Sequence, residues 1–174
     1  MGKVINWEQN IDLIDTIYAN YEDDLSKAIV NIVLLFNAFE SQTQWYKYTK
    51  HYHLKTEYYF DIFEKFRKRY VTDGKINENF NNLFRDNVRP YENQEGNHEE
   101  ENRLRVIDTL LGNTDNNEDK LFTCLCLSYR FRNNIFHGKK HIAELQDYLE
   151  CYGWIIDLFK NILKYSDYKH RFYR

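Results

Sequence analysis

Tyr129-Arg-Phe-Arg-Asn-Asn-Ile-Phe-His-Gly-Lys-Lys-His141 gathers two arginines, two asparagines, two lysines and two histidines without a single carboxylate. The chain as a whole runs the other way, with 27 Asp and Glu against 24 Lys and Arg and a formal net charge of −3. A local cationic excess of this kind attracts phosphate. The residues leading into it, from Leu121 to Phe131, are apolar nearly all the way around a helix, which predicts a helix in the middle of a bundle. Gly138 stands where that helix would end, since glycine tolerates the positive φ of a helix terminus. The stretch therefore bears on fold and chemistry together: a central helix that closes on charged and titratable side chains.

Imidazole titrates near pH ~6.5 whereas guanidinium stays charged throughout, so His137 can exchange a proton while an arginine beside it holds negative charge. Together the two side chains suit proton transfer and the stabilisation of an anionic transition state. Arg132-Asn-Asn-Ile-Phe-His137, an arginine followed by a polar residue with a histidine four intervening positions on, resembles the signature of the HEPN (higher eukaryotes and prokaryotes nucleotide-binding) superfamily. That family's spacing allows four to six intervening residues, and many members have a similar Arg-Asn-Asn-aliphatic-Phe-His-Gly run. Leu34-Leu-Phe-Asn-Ala-Phe39 is similar to an early-helix segment in some of them.

The resemblance implies an all-α helical bundle of about five to seven helices acting as a metal-independent endoribonuclease of a toxin–antitoxin or phage-defence system. It implies catalytic roles for Arg132, His137 and Asn133, RNA contacts from Arg130, Asn134, Lys139 and Lys140, and a homodimer whose paired motifs form a composite site. An antitoxin or defence-complex partner fits the same picture. Other members have lost catalysis, so the alternative is a non-catalytic nucleotide- or RNA-binding dimer that regulates a partner protein. One departure matters: members silenced by adenylylation have a tyrosine two places after the motif histidine, where this chain has Lys139.

The spacing itself leaves the working arginine open. At about 100° per residue, Arg132 and His137 point roughly 140° apart, while Arg130, Asn133 and His137 lie near one face. Arg130, with six intervening residues, also satisfies the family spacing, but Phe131 follows it where a polar residue follows Arg132. Read without the resemblance, the same side chains satisfy helix-end carbonyls and complement the helix dipole. His137 and His141 have the separation of metal ligands on one helical face. Gly138 interrupts them and no acidic or cysteine partner is close in sequence, so no metal is assigned. No glycine-rich phosphate loop occurs, and no cofactor is expected.

A length of 174 residues suits one domain spanning 1–174, and the 17% aromatic content with one proline favours long helices. Cys124, Cys126 and Cys151 are an odd number, read as reduced core thiols of a cytoplasmic protein. No secretory leader or membrane span is predicted.

Along the chain, Trp7 to Tyr18 has the spacing of a short amphipathic helix. Leu25, Ile29, Ile32, Phe36 and Phe39 predict a core helix from about Asp23 to Gln42, followed by an aromatic and basic segment from Trp45 to His53. Tyr58, Ile62 and Phe66, with Tyr59, Phe63 and Tyr70 beside them, predict a helix ending near the turn pair Asp73-Gly74. Lys65, Arg67, Lys68 and Arg69 at its end read as a solvated helix terminus rather than an RNA-tracking patch. Ile76, Phe80, Leu83 and Phe84 form a shorter apolar set. Tyr91 to Glu101, with five glutamates and no apolar period, predicts an acidic loop or mobile insertion. Leu104, Ile107, Leu110 and Leu111 predict a helix closed by Gly112, with Asn113 to Asp119 as a polar connection. The last helix carries one stripe from Ile142 to Leu163.

Overall fold

The computed structural model describes residues 24–42, 54–84, 99–136 and 147–166. The expected helix at Trp7 to Tyr18, the segment Trp45 to His53 and the basic tail after Ser166 lie outside them. Among the described residues six α-helices stand in this order: α1 (Asp24–Gln42), α2 (Phe60–Tyr70), α3 (Glu78–Phe84), α4 (Glu99–Leu111), α5 (Asn117–Phe136) and α6 (Leu149–Tyr165). The fold is an all-α bundle. A 3-10 turn at Thr56–Tyr58 leads into α2, and a two-stranded antiparallel ladder, β1 (Val71–Thr72) with β2 (Lys75–Ile76), joins α2 to α3.

That hairpin was not among the expected elements. Asp73 and Gly74 both adopt positive φ, 51° and 71°, the pair of left-handed residues that a two-residue hairpin with strand-matching twist requires. The pairing, Val71 to Ile76 and Thr72 to Lys75, is too short to produce an alternating pattern in the sequence. Asn77 then starts α3: its Oδ1 accepts from the Phe80 N–H at 3.4 Å while its Nδ2 donates to the Arg69 carbonyl at 2.8 Å.

α5 runs through the middle, touching α1, α2, α3 and α4. Its burial follows from composition: Leu121, Phe122, Thr123, Cys124, Leu125, Leu127, Ser128 and Phe131 are all buried, which leaves no solvent face along most of its length. Asn116 caps it, accepting from the Asp119 N–H at 2.7 Å. Arg105 of α4 then clasps Asp119 through Nε at 2.6 Å and lies 4.0 Å from the centroid of the Phe122 ring. α6 packs along α1, with Phe159 set against both Phe36 and Phe39. Phe131 of α5 meets Phe66 of α2 and Tyr148 and Tyr152 of the α6 region. These aromatics knit three helices into one core.

Three boundaries differ from expectation. The stripe expected to run in one last helix from Ile142 is helical only from Leu149 among the described residues, after a turn at Asp147 and Tyr148. Glu99, Glu100 and Glu101, read as the end of an acidic loop, are the first turn of α4. Negative charge at a helix N-terminus offsets the exposed amide dipoles, so a glutamate run without apolar period can still be helical. In the same helix Leu104 is 51% exposed and Val106 is buried in its place. The start of the polar connection from Asn113 is as expected, but α5 already begins at Asn117. Gly112 closes α4 at φ 81°, with the Gly112 N–H donating to Thr109 and the Asn113 N–H to Asp108, the paired bonds of a Schellman end.

Candidate functional site

The last turns of α5 carry the charged side chains, and a helix of 3.6 residues per turn sorts them onto two sides. Arg130 and Asn134, four apart, share one side. Tyr129 and Arg132, three apart, share the other, and Asn133 lies between the two sides. The two arginines lie about 160° apart around the axis.

Arg130 faces α3 and α4. It is 5% exposed. Its Nε donates to the Leu83 carbonyl at 3.1 Å, its Nη2 to the Phe84 carbonyl at 2.8 Å, and its Nη1 to Glu99 Oε1 at 2.8 Å. The guanidinium also lies over the Phe84 ring, 4.8 Å from its centroid. Asn134, likewise buried, adds an Nδ2 contact of 3.4 Å to the Leu83 carbonyl. These groups satisfy the carbonyls at the end of α3 and join them to the first residue of α4. Arg130 and Asn134 were expected to contact RNA; the structure instead buries them in a clasp between helices, away from the solvent-facing position that phosphate contact requires. A planar guanidinium has the fork of donors needed to reach two carbonyls and a carboxylate at once.

Arg132 faces α1. Its side chain retains 30% exposure, its Nη1 donates to Asn133 Oδ1 at 3.2 Å, and its Nη2 stands 3.5 Å from Glu40 Oε2 on the last turn of α1. The Tyr129 hydroxyl lies within electrostatic reach of the same Glu40 carboxylate. Burial first, and the Glu40 charge second, push the Tyr129 hydroxyl above the ordinary tyrosine range, so it remains a donor at any physiological pH. Tyr129 in turn sits edge-on to Phe36, with ring centroids 4.9 Å apart. The structure thus brings Arg132 and Asn133 together and adds Glu40 and Tyr129, which the sequence reading did not single out. For Tyr129 a signal existed in its three- and four-residue separations from Arg132 and Asn133. For Glu40 there was none beyond its place one turn after Phe36.

His137, which follows α5 directly in the chain, lies outside the described residues, as do Lys139, Lys140 and His141. The basic end of α2 divides by residue type. Arg67 donates from Nε to the Leu110 carbonyl at 3.1 Å, and Arg69 donates from Nη2 to the Asp147 carbonyl at 3.3 Å, while Lys65 and Lys68 are exposed.

A hollow of 270 Å³ between α2 and α6 is lined by Glu57, Tyr58, Asp61, Ile62, Asp157, Lys160 and Asn161. Its charge has the wrong sign for phosphate. Burial pushes the thiols of Cys126 and Cys151 up to about 12 and that of Cys124 higher still, so all three are neutral core groups at physiological pH. Among the described residues no group of three or more His, Cys, Asp or Glu side chains is placed to hold a metal ion, and no helix is long and apolar enough to cross a membrane. No protein-family model, curated protein or solved structure matches the chain.

Proposed function

We propose that the chain is an endoribonuclease of HEPN type that cleaves RNA without a metal ion, with Arg132 and His137 as its catalytic pair. The observation that carries this reading is the contrast between the two arginines of the stretch. Arg130 is consumed by carbonyls inside the bundle, whereas the Arg132 side chain keeps 30% exposure and is met by a polar neighbour and a carboxylate, five residues before His137. This placement favours Arg132 over Arg130 as the cation that meets phosphate.

In this reading His137 assists attack of a ribose 2′-hydroxyl on its own phosphate, and the proton leaves the hydroxyl as the new P–O bond forms. Arg132 stabilises the charge that develops on the phosphorane, and Asn133 fixes its direction. Departure of the 5′-oxygen leaves a 2′,3′-cyclic phosphate and, once that oxygen is protonated, a free 5′-hydroxyl. One chain supplies one motif histidine, so two-fold pairing of motifs would supply both a base and an acid. Lys139 and Lys140 add charge for the backbone of the substrate. A toxin or defence role, with its partner, belongs to the same proposal.

Incubation of unstructured RNA with the wild type and with His137→Ala in EDTA tests the reading. Cyclic-phosphate products from the wild type alone are expected. An inert wild-type protein that binds RNA would put the non-catalytic binding module ahead.

A further inference from the structure

We infer that Glu40 is a positioning residue that sets the direction of the Arg132 guanidinium, with Tyr129 holding the carboxylate in turn. This rests on the reading of Arg132 as the cation that meets phosphate. An arginine at a half-exposed helix end samples many rotamers unless it is held. Here both terminal nitrogens have partners on separate elements: Nη1 on Asn133 Oδ1 of α5 at 3.2 Å, and Nη2 near Glu40 Oε2 of α1 at 3.5 Å. Two such holds, one on each terminal nitrogen, define the plane of the group.

The arrangement is more than a surface ion pair because it has a buried foundation. Phe36 and Glu40 are one turn apart on α1; Tyr129 and Arg132 are nearly one turn apart on α5. Phe36 is 1% exposed and meets the Tyr129 ring at 87°, which fixes the ring, and the ring carries a hydroxyl within electrostatic reach of Glu40. Orientation therefore passes from a packed core aromatic through a phenol and a carboxylate to the guanidinium. A second consequence is electrostatic. The carboxylate offsets the positive charge of Arg132, so it works against RNA affinity even as it orders the site. Removing it has opposite effects on binding and on rate, a split that a purely structural contact does not produce.

The test uses full-length Glu40→Ala, Glu40→Gln and Tyr129→Phe, each checked for an intact thermal transition. Nitrogen-15 NMR of the Arg132 side chain reads rotation about its Nε–Cζ bond independently of activity. Slow rotation in the wild type and faster rotation in Glu40→Ala are expected. Single-turnover cleavage of a short RNA should fall roughly ten- to a hundredfold in Glu40→Ala, with RNA affinity unchanged or tighter. Glu40→Gln, which keeps an acceptor of equal reach, should recover part of the rate, and Tyr129→Phe should lose less than Glu40→Ala. Equal rotation in wild type and Glu40→Ala, or cleavage by Glu40→Ala at the wild-type rate, overturns the inference, as does a rate loss matched by lost RNA binding. A wild type that restrains Arg132 through Glu40 but cuts no RNA upholds the positioning and sinks the ribonuclease reading alone.

Discussion

Arg130 and Arg132, separated by one residue on α5, serve opposite sides of the helix: one is locked against the carbonyls of Leu83 and Phe84, the other meets Glu40 on α1. Their similar chemistry in sequence becomes different chemistry in space, and substitutions at the two positions should separate stability from activity.

Arg130→Ala should destabilise the bundle by roughly 2–4 kcal/mol, since it strips the Phe84 carbonyl of its guanidinium partner and removes the link to Glu99. Arg130→Lys should rescue little, because an ammonium cannot reproduce the fork. Urea denaturation decides this. A midpoint equal to wild type for the alanine variant would show that the clasp contributes nothing.

Arg132→Ala should abolish RNA cleavage while shifting the same urea midpoint by less than about 1 kcal/mol equivalent, as its ion pair is part-exposed. Residual cleavage close to wild type would return the role to another cation of the stretch.

The glycines offer a paired control on the backbone. Gly153, inside α6, has open space where a Cβ would go, so Gly153→Ala should stabilise by about 0.5–1 kcal/mol. At Gly112 the φ of 81° is the obstacle, and Gly112→Ala should destabilise by about 1 kcal/mol. Thermal melts with shifts of the same sign at both sites would contradict the account.

Stability should also decline in alkali, from about pH 8.5 upward, where the thiols of the unfolded chain ionise. In the folded protein Cys126 and Cys151 stay protonated up to about 12. The unfolded state therefore releases its protons first, and the stabilisation present below pH ~8.5 is lost progressively as pH rises through that window. Buried Tyr70 and Tyr152, raised by the same burial, act with the same sign at higher pH. Denaturation midpoints that hold steady between neutral pH and pH ~10 would argue against thiol burial of this kind.

Much of the helical plan was legible because it rests on periodic burial. The spacing of Leu25, Ile32, Phe36 and Phe39 gives α1 almost to the residue, and Tyr152, Ile156 and Phe159 mark α6. Features that depend on partners distant in sequence were not legible. Arg130 reads as a surface cation until the Leu83 and Phe84 carbonyls, 47 and 46 residues earlier, are seen around it. Leu104 fits an apolar period yet faces solvent, because α4 turns Val106 and Leu110 to the core instead. Glu40 is one of 27 acidic residues in the chain, and only the packing of α1 on α5 sets it beside Arg132.

The clasp around Arg130 also bears on where this chain can be rewritten. A single guanidinium joins the end of α3 to the start of α4, so the separation between residues 84 and 99 is set from outside the sequence that connects them. The placement of α3 against α4 therefore depends on a side chain that belongs to neither helix, and one substitution at position 130 releases both ends of that junction at once.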